Sequence, residues 1–283
     1  EYAKDRLQGR KASEKNPASP QVPIIDHADV RRMLLAQKAY SEGGLALCLY
    51  GARLMDDQHT HPDEQKRAEA GKLLDLLTPV IKTWPSEHGP KANDLAIQVY
   101  GGAGYTREYP VEQCWRDNRL NPIHEGTTGI QGLDLLGRKI WQDQSLGLQL
   151  LMKEMQVDLE AATTDRSQQW ALSLSETLQQ AVKVTQNLGK SLMSGEVDKS
   201  LANASCYLHL FGHIIVAWMW LRQANAAAQA LASANSDDER NFYQGKLQAA
   251  QYFFHWELPT VAQDLVLLRN MDDTCLNMKA EWF

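Results

Sequence analysis

The residues best suited to chemistry lie in one stretch of the chain, residues 98–131. There glycines, prolines and large polar side chains replace the apolar spacing of a helix, as in Gln98-Val-Tyr-Gly-Gly and His124-Glu-Gly-Thr127. This composition is more typical of a functional loop than of a core element. Glycines let a ligand approach the backbone, amides and hydroxyls bind it, and a carboxylate shielded from water can move a proton.

The order of the motifs in this stretch resembles a known family. A Q-x-x-G-G-x-G turn over residues 98–104 is followed by Tyr109-Pro-Val-Glu112, by the pair Arg116-Asp117 and by Glu125-Gly-Thr127. Residues 1–143 thereby resemble the C-terminal helical domain of the flavin-dependent acyl-CoA dehydrogenases, since the ordered set is far more specific than any one motif. Residues 144–283 resemble, in length and position, the extra helical domain of long-form members.

The resemblance implies that Glu125 is the catalytic base. It would remove the α-proton of an acyl-CoA thioester while the β-hydride passes to FAD, with His124 and Gly126 beside the substrate. An ordinary carboxylate is too weak a base for this proton, so removal from water has to strengthen it, and hydrogen bonds to the thioester carbonyl have to stabilise the enolate. Taken alone, Glu125 would be read as an exposed residue in the first turn of a helix, where it favours the helix dipole.

Five residues are implied to contact FAD. The Arg6 guanidinium suits the pyrophosphate of a flavin held by a neighbouring subunit, and Gln8 belongs to the same motif. Gln98 and Gly102 match positions that hold the adenine-nucleotide half, and Thr127 matches a flavin-contacting hydroxyl. The structural alternatives are an exposed helical Arg6, a C-cap with positive φ at Gly101-Gly102, and an N-cap at Thr127.

Some positions depart from the family pattern. The N-terminal motif that contains Arg6 is one residue shorter before Gly9 and lacks its aromatic residue. His124 stands where a tyrosine is common, which would alter the acyl pocket, and Gly129 stands where a flavin-contacting glutamine is often found. The neighbours Arg116 and Asp117 are predicted to form a structural ion pair that fixes the loop.

A second candidate site lies far along the chain. Cys206, His209 and His213 fall at i, i+3 and i+7 on one helix face, a spacing that could ligate a metal. The same residues fit a packed core face beside Phe211 and Trp218. We favour core packing and predict no metal site.

The elements that must position these residues are helices. Strand patterns are nearly absent, so the sequence predicts an all-α fold of two consecutive helical bundles, residues 1–143 and 144–283, the first a four-helix bundle of the family's C-terminal type. The expected helices cover residues 26–57, 62–82, 90–100, 128–140, 174–192, 200–233, 237–256 and 258–269. Several aromatic residues of the second bundle, Trp218, Trp220 and 252–256 among them, are expected to pack on the first bundle or on a partner subunit.

Composition narrows the function classes. There are 29 Lys+Arg and 35 Asp+Glu, a net charge of −6, which does not indicate a nucleic-acid binder. The apolar stretch 210–221 is shorter than the roughly 20 residues of a membrane span, so no transmembrane segment is predicted. The four cysteines contain no CxxC pair, which favours a reducing, cytoplasmic location. The first residues lack an initiator Met and a signal peptide, which indicates a fragment of a longer protein.

The resemblance also implies partners: an acyl-CoA substrate, an electron-transfer flavoprotein as electron acceptor, and assembly as a homodimer or homotetramer. Two other functions stay open. The chain could be a helical oligomerisation or binding module without activity of its own, or part of an acyl-CoA oxidase, which passes electrons to oxygen.

Overall fold

The structure is a computed structural model that describes residues 1–124 and 126–283. Over these residues it contains helices and no strand, with an isolated β-bridge between Leu7 and Pro23. The predicted all-α fold is confirmed.

Two long antiparallel helices frame the N-terminal half. The elements up to residue 100 are α1 (Tyr2–Asp5), a 3-10 turn (Ile24–Asp26), α2 (Ala28–Thr60) and α3 (Glu64–Tyr100). Asp63 caps α3, because its Oδ1 accepts a hydrogen bond from Gln65 N at 2.8 Å. Leucines such as Leu47 and Leu77 are buried in the core that the two helices share.

Helix α3 is continuous where the sequence predicted two helices. It runs through Pro79, Pro85 and Pro90, although a proline inside a helix removes a backbone donor and costs about 3 kcal/mol. The same stretch supplies the core residues Val80 and Trp84. Tertiary packing on this face therefore overrides the local signal that the prolines give.

Residues 101–127, predicted as a loop, contain more helix than expected. A 3-10 turn (Gly101–Tyr105) leads to α4 (Val111–Asn118), and α4 is too short for an apolar period to show in the sequence. Helix α5 (Thr128–Asp134) begins where predicted, with Thr127 at the N-cap position. The Thr127 side chain makes no capping hydrogen bond.

The second half adds a further set of helices. Its elements are a π-helical turn (Leu135–Lys139), α6 (Gln142–Glu160), α7 (Asp165–Met193), α8 (Val197–Leu201), α9 (Ala204–Leu231), α10 (Asp237–Tyr252), a π-helical turn (Phe253–Glu257), a 3-10 turn (Leu258–Val261), α11 (Ala262–Asn270) and a 3-10 turn (Ala280–Trp282). The helices predicted over 200–233, 237–256 and 258–269 correspond to α9, to α10 with its π-helical turn, and to α11.

One hydrophobic core spans both halves. Trp220 in α9 is fully buried, and its Nε1 donates to Ala39 O at 3.2 Å. Trp218 meets Tyr50 edge-on, with ring centroids 5.1 Å apart. The expectation that aromatic residues of the second half pack on the first is confirmed. The division of the chain at residue 143 stays a prediction, and Asp143 begins a three-residue stretch with positive φ.

Helix α9 is long and apolar enough, by length and composition, to cross a membrane, so the apolar segment is longer than the stretch judged from sequence. Its most apolar window has a mean hydropathy of 1.4. Within the described residues 83% of that window is buried. Burial of this degree is typical of a helix at the centre of a bundle, and it accounts for the apolar composition.

Candidate functional site

Four residues predicted to contact a cofactor line one cleft. Arg6 and Gln8 follow α1, whereas Gln98 and Gly102 lie at the end of α3, and α2 forms part of the wall between them. The cleft has a volume of about 670 Å³. The fold thus brings together two motifs that are far apart in the sequence.

Backbone hydrogen bonds fix the segment that forms the N-terminal side of the cleft. Gln8 N donates to Val22 O at 3.0 Å, and Ile24 N donates to Arg6 O at 2.8 Å. The Arg6 and Gln8 side chains are exposed. Among residues 1–124 and 126–283, no carboxylate forms an ion pair with the Arg6 guanidinium. The backbone is therefore fixed while the polar side chains stay available to a ligand.

Three tyrosines join the two walls of the cleft. Tyr2 stacks on Tyr100 with ring centroids 4.3 Å apart, and its hydroxyl donates to Tyr100 O at 3.2 Å. Tyr109 packs edge-on against Tyr2 at 5.7 Å. Such aromatic pairs contribute about 0.5–1.5 kcal/mol beyond their buried area. Sequence reasoning missed this contact, although each tyrosine lies beside one of the motifs.

The glycines at the end of α3 have separate roles. Gly101 ends the helix with φ +61°, as predicted for a C-cap. A Cβ on Gly102 would meet no atom of residues 1–124 or 126–283 within 4 Å, so the described part of the chain does not require glycine there. A Cβ on Gly104 would lie 2.7 Å from Ile97 O, so glycine is required at that position. The bare backbone at Gly102 leaves room for a ligand.

The residues predicted to contact substrate, His124 and Gly126, and the fifth residue predicted to contact FAD, Thr127, lie elsewhere. His124, Gly126 and Thr127 are exposed and do not line the cleft, and Glu125 lies outside the described residues. Gly126 has φ +101°, and a Cβ there would lie 2.7 Å from Gln131 Nε2. Glycine is therefore required beside Glu125.

The start of α5 is tied to α3. Thr128 Oγ1 donates a hydrogen bond to Glu87 Oε1. Nothing in the sequence indicates that Glu87 is the partner of Thr128. The contact fixes the end of the loop that carries Thr127. Gly129, one residue later, is exposed, and among the described residues no atom lies within 4 Å of an added Cβ.

The predicted ion pair between Arg116 and Asp117 is wrong. Arg116 pairs with Glu112, one helical turn earlier in α4, with Nη1 and Oε2 3.5 Å apart. Consecutive residues of a helix point about 100° apart, whereas residues i and i+4 share a face.

A buried histidine cluster lies between α3, α9 and α11. One ring nitrogen from each of His88, His209 and His213 lies within 4.8 Å of the others. Trp84 stacks on His88 with ring centroids 4.1 Å apart. Burial lowers the pKa of His213 to about 3. Burial, followed by the proximity of His213 and Lys91, lowers the pKa of His88 well below its usual value. Both rings are therefore neutral at pH 7.

The cluster differs from the one considered in the sequence. His213 lies in the core as expected, but the third member is His88 from α3. Cys206 lines the same cavity, and burial raises the pKa of its thiol, which disfavours a metal-binding thiolate. His88 was missed because it is far from the other two histidines in the sequence. A single histidine in a proline-containing helix forms no pattern that would indicate a shared site.

Comparison with protein families matches most of the chain. Residues 14–140 match the acyl-CoA dehydrogenase C-terminal domain, and residues 151–279 match a domain described as acetyl-CoA dehydrogenase C-terminal like. The second match shows that the similarity to this family also covers residues 151–279, where the sequence contains none of the motifs described above.

Relatives match nearly the whole chain. A broad-specificity linear acyl-CoA dehydrogenase of Mycobacterium tuberculosis is 33% identical, over 98% of this chain and 47% of its own length. The 3-methylmercaptopropionyl-CoA dehydrogenase of Ruegeria pomeroyi is 32% identical, over 89% of this chain and 42% of its own length. The chain thus spans about half the length of these relatives.

Solved structures share the fold. ACDH-11 of Caenorhabditis elegans, in complex with C11-CoA, superposes with a TM-score of 0.72 and 20% identity, over 100% of this chain and 40% of that protein. An acyl-CoA dehydrogenase of Bacillus anthracis, complexed with FAD, gives a TM-score of 0.65 and 18% identity, over 95% of this chain and 45% of that protein.

Proposed function

Because the chain belongs to the acyl-CoA dehydrogenase family, whose C-terminal domains it carries, we propose that it is the C-terminal part of a flavin-dependent enzyme that desaturates an acyl-CoA thioester between the α and β carbons. The observation that carries this proposal is the convergence of Arg6, Gln8, Gln98 and Gly102 on one cleft. These residues come from two motifs that are far apart in the sequence. Three of them expose a polar side chain, and Gly102 exposes its backbone.

The cleft suits one end of FAD. An exposed guanidinium without a carboxylate partner among the described residues can bind a pyrophosphate, and the Gln98 amide can both donate to and accept from an adenine ring. The open space at Gly102 admits the nucleotide close to the backbone. When bound, FAD supplies the acceptor for the hydride from the β carbon.

Glu125 is the proposed base. Its carboxylate would take the α-proton, which the electron-withdrawing thioester makes acidic. Exclusion of water from around the carboxylate would make it a stronger base for this step. Gly126 supports this role, since its positive φ permits the turn that directly follows Glu125. Thr127 and His124 flank the base as proposed flavin-contacting and substrate-contacting residues.

The proposed enzyme needs partners. We expect an acyl-CoA substrate, an electron-transfer flavoprotein as acceptor, and a homodimer or homotetramer in which Arg6 reaches a flavin of the neighbouring subunit. Cys48, Cys114, Cys206 and Cys275 are free thiols, which fits the cytoplasmic location expected from the sequence.

The test is an assay of the full-length protein. It should purify with bound flavin and reduce an artificial electron acceptor when given an acyl-CoA panel. Peroxide release with oxygen as the acceptor would instead assign an oxidase. A colourless full-length protein that acts on no acyl-CoA would contradict the enzyme proposal and favour a binding module.

A further inference from the structure

The three histidines of the buried cluster are held by their Nδ1 atoms. His88 Nδ1 lies 2.9 Å from Trp84 O, and His213 Nδ1 lies 2.9 Å from His209 O. His209 Nδ1 lies 2.6 Å from a carboxylate oxygen of Asp264. Carbonyl and carboxylate oxygens only accept hydrogen bonds, so in every ring Nδ1 carries the proton.

This tautomer leaves Nε2 of each ring as an acceptor. One ring nitrogen of each histidine lies within 4.8 Å of the others, and acceptor nitrogens this close repel one another unless a cation lies between them. Fixation of Nδ1 by a carbonyl or a carboxylate is also the arrangement that orients metal-binding histidines in proteins. Asp264 has this role for His209, because its carboxylate accepts the Nδ1 hydrogen bond and orients the ring.

The surrounding cavity has a volume of about 350 Å³. It is lined by Glu87, Ser205 and Cys206 in addition to His88 and His209. The indole Nε1 of Trp84, also in the wall, is buried and has no acceptor among the described residues. A metal-bound water would give that indole a partner.

We propose that His88, His209 and His213 bind a divalent transition-metal ion of the Zn²⁺ class through their Nε2 atoms, with the fourth position open to the cavity. Three histidines plus water is a common ligand set for zinc. Nitrogen ligands of a tetrahedral zinc site stand about 3.4 Å apart, so the rings close by about 1 Å on binding. His209 provides this movement, because its side chain is 37% exposed. None of the three histidines is among the residues proposed above to bind FAD or acyl-CoA, although Thr128, at the start of α5, also lines the cavity.

Lys91 competes with the metal. Its Nζ lies 3.4 Å from His88 Nε2, and its side chain reaches solvent. In the metal-free chain the Lys91 ammonium faces the Nε2 lone pair of His88 as a hydrogen-bond donor. Metal binding requires Lys91 to turn outward, and removing its charge should strengthen binding by about tenfold.

The test uses the full 283-residue chain, freed of metal with a chelator and titrated with Zn²⁺ against a chromophoric chelator, and in parallel with Co²⁺. One equivalent of Zn²⁺ per chain is expected, and Co²⁺ should give the strong visible bands of tetrahedral coordination. His209→Ala should weaken Zn²⁺ binding by at least about 100-fold, and Asp264→Asn by about 10- to 100-fold. Lys91→Met should tighten it.

His59→Ala is the matched control, because His59 is exposed at the end of α2. Its affinity for Zn²⁺ should equal that of the unaltered chain. Circular dichroism confirms that each variant is folded, and Asp264→Asn keeps the shape of the side chain if His209→Ala proves unstable. The proposal is overturned if the chain binds no Zn²⁺ in stoichiometric amount, or if neither His209→Ala nor Asp264→Asn weakens the binding.

Discussion

The two halves of the chain differ in what they carry. Residues 1–143 hold the motifs, and their candidate residues Arg6, Gln8, Gln98 and Gly102 are exposed on a cleft. Residues 144–283 hold no recognisable motif, yet α9 supplies much of the common core. The comparison teaches that one half displays the site and the other half keeps it in shape.

The halves also differ in how their side chains are fixed. At the cleft, backbone hydrogen bonds fix the segment while the Arg6 side chain stays free of carboxylate partners within the described residues. In the histidine cavity, Asp264 of α11 fixes His209 of α9 by a hydrogen bond, and His88 of α3 packs against the rings of His209 and His213. Substitutions in the core face of α9 should therefore act on stability, whereas substitutions at the cleft or in the histidine cluster should act on binding.

The largest effect should come from ending the chain after Asp143. Removal of α9 exposes core residues such as Leu47 and Leu77, which the two halves bury together. The shortened chain should aggregate or lose its cooperative thermal transition. Removal of residues 274–283, which are exposed, is the control and should change little. A soluble, cooperatively folded chain ending at residue 143 would refute the shared core.

Trp220→Ala should have the next largest effect. The side chain is fully buried between the halves and bonded to Ala39 O, so its loss should lower the free energy of unfolding by about 3–5 kcal/mol. Trp282→Ala, at a position 60% exposed, should stay within about 0.5 kcal/mol. Denaturant unfolding followed by circular dichroism measures both, and equal effects would show that α9 does not join the halves.

Glu42→Gln tests a smaller link, between α2 and α10. Glu42 lies 2.5 Å from Lys38 and 2.7 Å from Lys246. Burial raises the pKa of this carboxyl, but the two lysines outweigh it, and the net pKa lies below the usual value. The variant should lose about 1 kcal/mol at pH 7.

The sign of the pH dependence follows from that lowered pKa. The stabilisation by Glu42 is present above the unfolded-state pKa and is lost as the pH falls through the folded-state pKa. The stability difference between the unaltered chain and Glu42→Gln should therefore shrink between pH 5 and pH 3. A difference that stays constant over this range would exclude an ionic origin.

Arg6→Ala should change stability least, by no more than about 0.5 kcal/mol. Arg6 is exposed and has no carboxylate partner in the described part of the chain. In the full-length protein proposed above, the same change should lower the flavin content after dialysis, and Arg6→Lys should restore it only in part. Unchanged flavin retention in Arg6→Ala would remove Arg6 from the cofactor site.

The sequence predicts local features well. The helical class, the C-cap at Gly101 and the start of α5 after Thr127 follow from residue types alone, because caps and turns depend on neighbouring residues. The motif order names candidate residues, Arg6 and Gln98 among them, and the fold places these two on one cleft.

Predictions failed, or were not made, for features that depend on tertiary packing. Helix α3 continues through Pro85 because Trp84 and its neighbours lie in the core. The partner of Arg116 is set by the unpredicted helix α4. His88 joins His209 and His213 only through the packing of α3 on α9, which no local spacing indicates.

Glu125 is the proposed base of a flavin-dependent desaturation. The most direct measurement is the rate of flavin reduction by acyl-CoA in a single turnover of the full-length protein carrying Glu125→Gln. The amide keeps the shape of the side chain but cannot accept the α-proton, so the rate should fall by about 10² to 10⁴ while flavin content stays unchanged. A rate near that of the unaltered protein would contradict the account and place the base elsewhere.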